Sequence, residues 1–477
     1  MNPVTLGFGL YLILILGVGF YTARLTHSLK DFALGGNRLG PWVIAFSERA
    51  SGESAWLILG LPGAALMAGL LELWTVVGCI SGIIFSWFVI AKRLRIATET
   101  YDVMTLPELF AKRFKADQGL LRILASLIIT FFFTFYVAAQ FSGAGKVLNV
   151  TFGITHIQGM ILGAVIIIFY TLMGGFLAVA WTDLVQGIIM IGTLVILPIV
   201  AFIELNSLPE VNFSFNSATL YGGKSGLAAL TAAIGGLSWG LGYMGQPHLV
   251  TRFMAIDKPE SIKTSRRIAI SWAVPAFFGS LFIGLTGLFL LESGSMAFEG
   301  HMLSSISSLS DPEKIMPIMA QNLLHPWLAG IFISGAIAAM MSTADSQLLV
   351  TTTVLTEDVI ANYFKHLRNR IDLLFVGRVL TIIIGLLAFY LAWQSTDLVF
   401  EMVSYAWGGL GASFGPALLL TLWWKKASKM GIIAGMVSGT LFTVVDLFGN
   451  WVTARFSAFV IAFICVVIFS ILKPDED

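Results

Sequence analysis

Hydrophobic residues run through this chain in long stretches separated by short polar segments. About thirteen stretches reach the roughly twenty residues that a helix needs to cross about 30 Å of hydrocarbon. They lie near 4–23, 40–69, 71–91, 120–148, 155–175, 178–205, 226–251, 267–292, 315–356, 373–394, 398–424, 428–449 and 454–472. The long stretch at 315–356 has room for a second helix ahead of His325 and Pro326. The first stretch has no basic segment before it and no small-residue cleavage pattern behind it, so it predicts a retained helix and not a signal peptide. The chain ends soon after the last stretch, and no soluble catalytic or sensor domain is expected to follow it. The pattern predicts an all-α polytopic membrane protein with about 13 transmembrane helices.

Composition narrows the function classes. Of the 477 residues, 57% are hydrophobic and 12% charged, about half the charged share of soluble domains. Length alone suggests about three domains, but no polar linker separates them. A net charge of +1 leaves no electrostatic footprint for nucleic acid. Cys79 and Cys465 both sit in apolar runs, which argues against a disulfide framework or a zinc site.

Basic residues orient the spans. With the first stretch running outside to inside, about 23 of the 28 Lys and Arg fall in cytoplasmic segments, Arg24, Lys92, Arg252, Lys365 and Lys425 among them. Lys146, Lys224, Lys314 and Arg455 fall outside, and Arg49 alone falls within a span. The bias predicts an external N-terminus and a cytoplasmic C-terminus in a plasma membrane, the inner membrane in a bacterium.

Two stretches are unfit to continue as regular apolar helices. One carries the polar segment Ser47–Trp56 (SERASGESAW) followed by Gly60–Gly63, and the other carries Gly235–His248 (GGLSWGLGYMGQPH). A broken helix at membrane depth exposes backbone groups that lipid cannot satisfy, and it is tolerated where those groups line a cavity. Paired interruptions in two halves of a chain point to a transporter's substrate and ion site. These two are the second and seventh stretches, as two inverted five-helix repeats require. The bland alternative is a pair of kinked packing helices.

The segments Asp31–Gly36, Leu39–Pro41, Leu59–Ala64, Gly174–Asp183, Trp239–His248, Met341–Thr343, Gln347–Val350, Ser404–Trp407 and Phe414–Pro416, taken together and in this order, resemble the sodium/solute symporter family. Within it they are most similar to the sodium/proline symporters. The resemblance implies a LeuT-like inverted-repeat core and alternating access. It divides the chain into an accessory helix and loop at 1–38, repeats at 39–205 and 206–424, and two accessory helices at 425–477. It also implies sodium as coupling ion, a small amino acid as cargo (proline first; the alternative is sodium- or proton-coupled symport of another small zwitterion or carboxylate), surrounding lipid, no enzymatic activity and no obligatory protein partner. The family's main sodium site maps onto the carbonyls of Ala50, Glu53 and Ala339 and the hydroxyls of Ser342 and Thr343. Its substrate positions map onto Ser54, Ala55, Trp56, Tyr136, Trp239, Tyr243 and Pro247. Gln140, one turn from Tyr136, is a candidate polar contact.

Two departures stand out. The family's proline symporters carry Asp at the position of Gly52, Met at that of Glu53 and a small residue at that of Arg49. Glu48, Arg49 and Glu53 still sum to one negative charge. Either Arg49 compensates a stray carboxylate, or Glu53 helps bind the cation or takes up a proton. The second departure is Asp345, which shares a helix face with Ser342 and Ser346. With Asp183 these residues form a candidate second cation or proton site, unless a basic residue brought close by the fold pairs with the acids. The six histidines form no ligand-spaced cluster, and neither a Gly-x-Ser-x-Gly nor a Walker sequence occurs. A channel or a non-transporting sensor is the competing class.

Overall fold

A computed structural model of the protein describes residues 3–24, 33–115, 119–208, 217–362, 372–446 and 453–475. Lys30, Lys365, Arg368 and Arg370 of the charge count, and Asp31 and Phe32 of the first motif, lie outside the described residues. Each apolar stretch is built of helices, interrupted for more than one residue at 243–246 and 324–325 among the described residues. By length and apolarity, eight helices among the described residues are fit to cross a membrane, or nine when Gly226–Gly242 and Pro247–Ala255 count as one bent span. His156–Leu172 and Lys429–Val445 are apolar but shorter. The stretch at 315–356 divides into the short helix Ile315–Leu323 and the long helix Pro326–Thr353, with Pro326 in the first turn, where its missing N–H costs nothing. Met296–Phe298 and His301–Leu303 pair as a small antiparallel hairpin.

The arrangement is that of a protein solvated by lipid. Large apolar side chains such as Ile13, Phe20, Val165, Ile203, Leu386 and Ile471 face outward, where hydrocarbon is as good a neighbour as protein. The polar segment that interrupts the second stretch is instead buried. Pro41–Ala55 packs against Phe176–Ser207, Pro326–Thr353, Ile262–Glu292 and Pro247–Ala255, and Ser47 through Ala55 are all buried. The helix Leu73–Phe85 runs against the second broken segment so closely that a Cβ on Gly82 would fall 2.2 Å from the Gly240 carbonyl oxygen. Small residues permit such backbone contact in membranes.

The charge count needs two corrections. Arg252 sits on the helix Pro247–Ala255 with none of its surface exposed, not in a polar loop. Lys146 is buried within the helix Leu120–Phe152, where it pairs with Asp311 at 2.7 Å and with Glu313. Arg49 is therefore not the only base in the interior. Each of these buried bases faces a carboxylate, as desolvated charges must.

Candidate transport site

The first helix breaks at Ser54, whose backbone lies at φ +29° and ψ −167°. A non-glycine residue in that region costs on the order of 1–3 kcal/mol and persists only where its surroundings enforce it. Here they do. The Ser54 hydroxyl accepts the Trp56 N–H at 3.3 Å and lies 3.4 Å from the Tyr136 hydroxyl. The Ala55 N–H donates to the Gln140 side-chain oxygen at 3.0 Å, and the Gln140 amide nitrogen donates to the Tyr136 carbonyl at 3.3 Å. The helix Leu120–Phe152 thus supplies the hydrogen bonds that the break removes. The second interruption falls between Gly242 and Pro247, with a bend of 41°, and Pro247 opens the continuing helix.

Two chemistries meet around Ser54. On one side runs the helix Pro326–Thr353. Its Thr343 hydroxyl donates to the Ser51 carbonyl at 2.9 Å, one residue from the predicted Ala50 carbonyl. The neighbouring Ser342 hydroxyl is fully buried and has no hydrogen-bond partner among the described residues. Ala50, Glu53 and Ala339 are equally buried. The Glu53 carbonyl already accepts the Trp56 N–H. A buried hydroxyl without a partner is costly, unless its lone pairs serve something that enters.

On the other side is an aromatic cluster. The Trp56 and Trp239 rings stack at 4.6 Å and 17°, while the Tyr243 and Trp407 rings meet edge-on at 4.6 Å and 75°. Tyr136 stands edge-on to Trp407 at 6.4 Å, and Phe400 lies 5.0 Å from Trp239. The Trp407 indole N–H donates to the Trp239 carbonyl at 2.9 Å. Tyr136, Trp56, Trp239, Tyr243 and Trp407 are all closed off from solvent. Trp56 of the first broken helix and Trp239 and Tyr243 of the second are thus brought together, whereas Pro247 lines a separate small cavity with Met104, Leu106 and Val350.

Two charged networks flank the break. Asp183 Oδ2 accepts from Ser47 at 2.6 Å, from Ser51 at 3.1 Å and from Arg252 at 3.1 Å. Arg252 also donates to Ser51 at 2.8 Å, to Ser346 and to the His248 carbonyl at 2.7 Å. Ser346 donates to Asp345 Oδ1 at 3.3 Å. Asp183 Oδ1 and Asp345 Oδ2 have no hydrogen-bond partner among the described residues. The fold therefore brings a basic residue, Arg252, among Asp183, Asp345 and Ser346. In the second network Arg49 bonds Glu48 through two nitrogens and Glu53 Oε1 at 2.6 Å. Tyr243 donates to Glu53 Oε2 at 3.1 Å, and Trp87 donates to Glu48 at 3.2 Å.

The family model described as the sodium:solute symporter family matches residues 32–439. The chain belongs to that family. Among its relatives, the sodium/proline symporter 2 of Staphylococcus saprophyticus is 37% identical over 91% of this chain and 84% of that one. The high-affinity proline transporter PutP of Bacillus subtilis is 37% identical over 93% and 90%. The osmoregulated proline transporter OpuE of the same organism is 36% identical over 94% and 89%. A solved sodium-coupled sialic acid symporter in a substrate-bound outward-open state superposes with a TM-score of 0.75 at 16% identity, covering 100% of this chain and 99% of that one. MhsT with bound L-phenylalanine superposes at 0.53 and 15% identity, covering 90% and 97%. These two likenesses bear on the fold, which is the LeuT-like one expected from the sequence.

Within this symporter-family chain several residues next to the site carry no distinctive sequence signal. Trp407 lies in a recognisable segment, yet its ring position depends on Gly242, where a Cβ would fall 1.9 Å from the indole nitrogen. Glu313 belongs to an unremarkable polar loop. In the fold its carboxylate accepts the Val399 and Phe400 N–H groups at 2.9 and 2.8 Å and bonds Lys146. An acid at a helix N-terminus complements the exposed amides there, and here it latches the loop beside the helix Ile315–Leu323 to the helix that carries Phe400 and Trp407. Replacement of Glu313 by alanine is expected to unlatch this side. After Cys79 and Cys465 are changed to serine, a cysteine at Leu398 should then react with a polar maleimide several-fold faster than in the parent. An unchanged labelling rate would show that the latch does not govern access.

Proposed function

We propose that this protein is a sodium-coupled secondary active symporter that imports a small amino acid, L-proline, by alternating access. One observation carries the reading: the Ser54 break is bordered on one face by the unpartnered Ser342 hydroxyl with Thr343 and on the other by the Trp56, Trp239 and Tyr243 cluster. Sodium takes hard oxygen ligands, and the break supplies carbonyls beside two hydroxyls. The cation is assigned to the Ala50, Glu53 and Ala339 carbonyls with Ser342 and Thr343. Proline's apolar ring suits the aromatic faces of Trp56, Trp239 and Tyr243. Its carboxylate suits the amides freed around Ser54 and Ala55, with Tyr136, Gln140 and Pro247 completing the pocket. The names of the relatives, all proline transporters, support this cargo.

The remaining assignments follow from the same reading. Thirteen crossings with an external N-terminus and a cytoplasmic C-terminus accommodate every apolar stretch, including those too short to qualify alone. The repeats are 39–205 and 206–424, flanked by accessory segments 1–38 and 425–477. At the second candidate site the Arg252 guanidinium supplies a fixed positive charge among Asp183, Asp345 and Ser346, alongside Ser342. We therefore assign one sodium ion per substrate. Glu53 is assigned a structural carboxylate, because Arg49 and Tyr243 occupy both of its oxygens. Glu53→Gln is then expected to leave the sodium dependence of uptake within about two-fold of wild type. A lost sodium response would move that carboxylate onto the ion.

The deciding experiment is uptake by the purified protein in proteoliposomes under an imposed inward sodium gradient. Saturable proline accumulation that collapses with the gradient is expected. A conductance indifferent to organic substrates would establish a channel, and strong competition by betaines or short carboxylates would change the cargo.

A further inference from the structure

At the basic end of the molecule, away from the broken helices, a groove of about 650 Å³ opens between the helices Ala91–Tyr101 and Leu106–Arg113 and the end of Val399–Trp423. Its composition is lopsided. Lys92, Arg93, Arg113 and Lys425 line it together with apolar and aromatic residues, and none of its lining residues is acidic. A second groove of about 860 Å³ shares Arg113 and Lys425 and adds Lys115 and Lys426. One acid, Asp475, lies on its wall and accepts the Lys429 backbone N–H at 3.0 Å; against Arg113, Lys115, Lys425 and Lys426 it leaves the lining net positive.

The first groove is organised as well as charged. The Arg93 guanidinium lies 3.4 Å above the Trp423 ring and donates to the Leu422 carbonyl at 3.2 Å, and the Trp423 indole N–H donates to the Val89 carbonyl at 3.0 Å. These contacts hold one basic head flat against the wall. Beside it, Ile96 presents apolar surface, being 45% exposed, and Phe88 is 57% exposed with the Arg266 guanidinium 3.7 Å over its ring, a further base beside the groove. Tryptophans beside lysines mark the depth of the headgroup layer in membrane proteins. An apolar wall running into an acid-free basic rim matches one amphiphile, a phosphate on a glycerol with acyl chains. Basic pockets between helices at the cytoplasmic surface bind such headgroups.

We propose that this groove is a binding site for an anionic glycerophospholipid, with the phosphodiester among Lys92, Arg93, Arg113 and Lys425 and an acyl chain along Phe88 and Ile96. The second groove, joined through Arg113 and Lys425, extends the basic lining and suits a lipid with two phosphates. The bound lipid spans two working parts of the fold. The helix Val399–Trp423 carries Trp407, and Ala91–Tyr101 carries Arg95, whose guanidinium holds the Ile256 and Asp257 carbonyls at 2.7 and 3.1 Å just past the second broken helix.

The test uses the full-length protein, purified in a mild non-ionic detergent and titrated with phosphatidylglycerol, cardiolipin or phosphatidylcholine. Bound lipid is counted by native mass spectrometry and thermal stability is followed in parallel. Wild type is expected to retain phosphatidylglycerol or cardiolipin in discrete stoichiometry and phosphatidylcholine weakly. The variant Lys92→Gln/Lys425→Gln is expected to lose about ten-fold or more in apparent affinity for the anionic lipids. The charge-matched control Lys258→Gln/Lys263→Gln, altered outside the groove, is expected to bind as wild type does. Equal loss in the control would reduce the effect to diffuse electrostatics and overturn the site. Equal retention of phosphatidylcholine, or full displacement by inorganic phosphate at the same concentration, would overturn it as well. Should Lys92→Gln/Lys425→Gln misfold, Arg113→Gln, scored by the same binding ratio, carries the same expectation.

Discussion

Replacing Ser342 by alanine is expected to raise the sodium concentration for half-maximal uptake by ten-fold or more while leaving the folded protein as stable as the parent. The two effects separate because the Ser342 hydroxyl has no partner among the described residues. Nothing is orphaned when it is removed, and a buried unsatisfied hydroxyl, itself a liability of about 1–3 kcal/mol, disappears. Only a ligand that arrives from outside would notice the loss. Thr343→Ala should behave differently, since that hydroxyl ties its helix to the Ser51 carbonyl beside the break at 2.9 Å. It should lose sodium affinity and also on the order of 1 kcal/mol of stability, with Thr343→Ser restoring both. Sodium titrations of initial uptake rate, paired with thermal unfolding at zero and saturating sodium, read out both variants. Ser342→Ala with unchanged sodium dependence would remove the hydroxyl from the ion site.

The contrast between Ser342 and Arg252 shows what a sequence of this kind discloses. Helices at the apolar stretches were legible because lipid demands long apolar segments, and such a demand leaves a local trace. The two interruptions were legible for the converse reason: polar and glycine-rich residues at membrane depth have few bland explanations. Which residue bears the break was not. Ser54 takes the unusual backbone conformation because Tyr136 and Gln140, more than eighty positions away, supply the compensating hydrogen bonds. Arg252 was misread for a related reason. A count of basic residues assigns an arginine near a polar loop to that loop, and only the fold reveals Asp183, 69 positions away, as its partner. The same arginine bears on the alternative for Asp345: it pairs with Asp183 and bonds Ser346, which donates to Asp345 Oδ1 at 3.3 Å. Glu313 carries no sequence signal because its partners, the Val399 and Phe400 amides and the Lys146 side chain, are brought to it only by the fold.

Arg252→Gln is expected to convert the neighbourhood of Asp183 and Asp345 into a second sodium site. Both carboxylates are fully buried, and Arg252 is the base that pairs with Asp183. Breaking a buried pair by removing one partner typically costs 3–5 kcal/mol, because the surviving charge stays in a medium that cannot solvate it. Two acids then remain, with Ser47, Ser51 and Ser346 hydroxyls released from the guanidinium. Hard oxygens around a net negative charge suit a small cation. The penalty should therefore be largest in sodium-free buffer and shrink as sodium rises, since a ligand that binds only the folded state stabilises it by mass action. Wild type should show a shallower sodium dependence of its unfolding temperature. The double variant Arg252→Gln/Asp183→Asn, with the charge balance restored, should lose the steeper dependence and recover part of the stability. Flux measurements provide the independent readout: the sodium-to-substrate ratio should move from one in wild type towards two in Arg252→Gln, provided transport persists. If the loss of stability in Arg252→Gln is the same at every sodium concentration, the guanidinium is a structural brace and not a stand-in for an ion. A wild-type ratio of two would show that sodium binds beside Arg252, and the stoichiometry proposed above would fall with it.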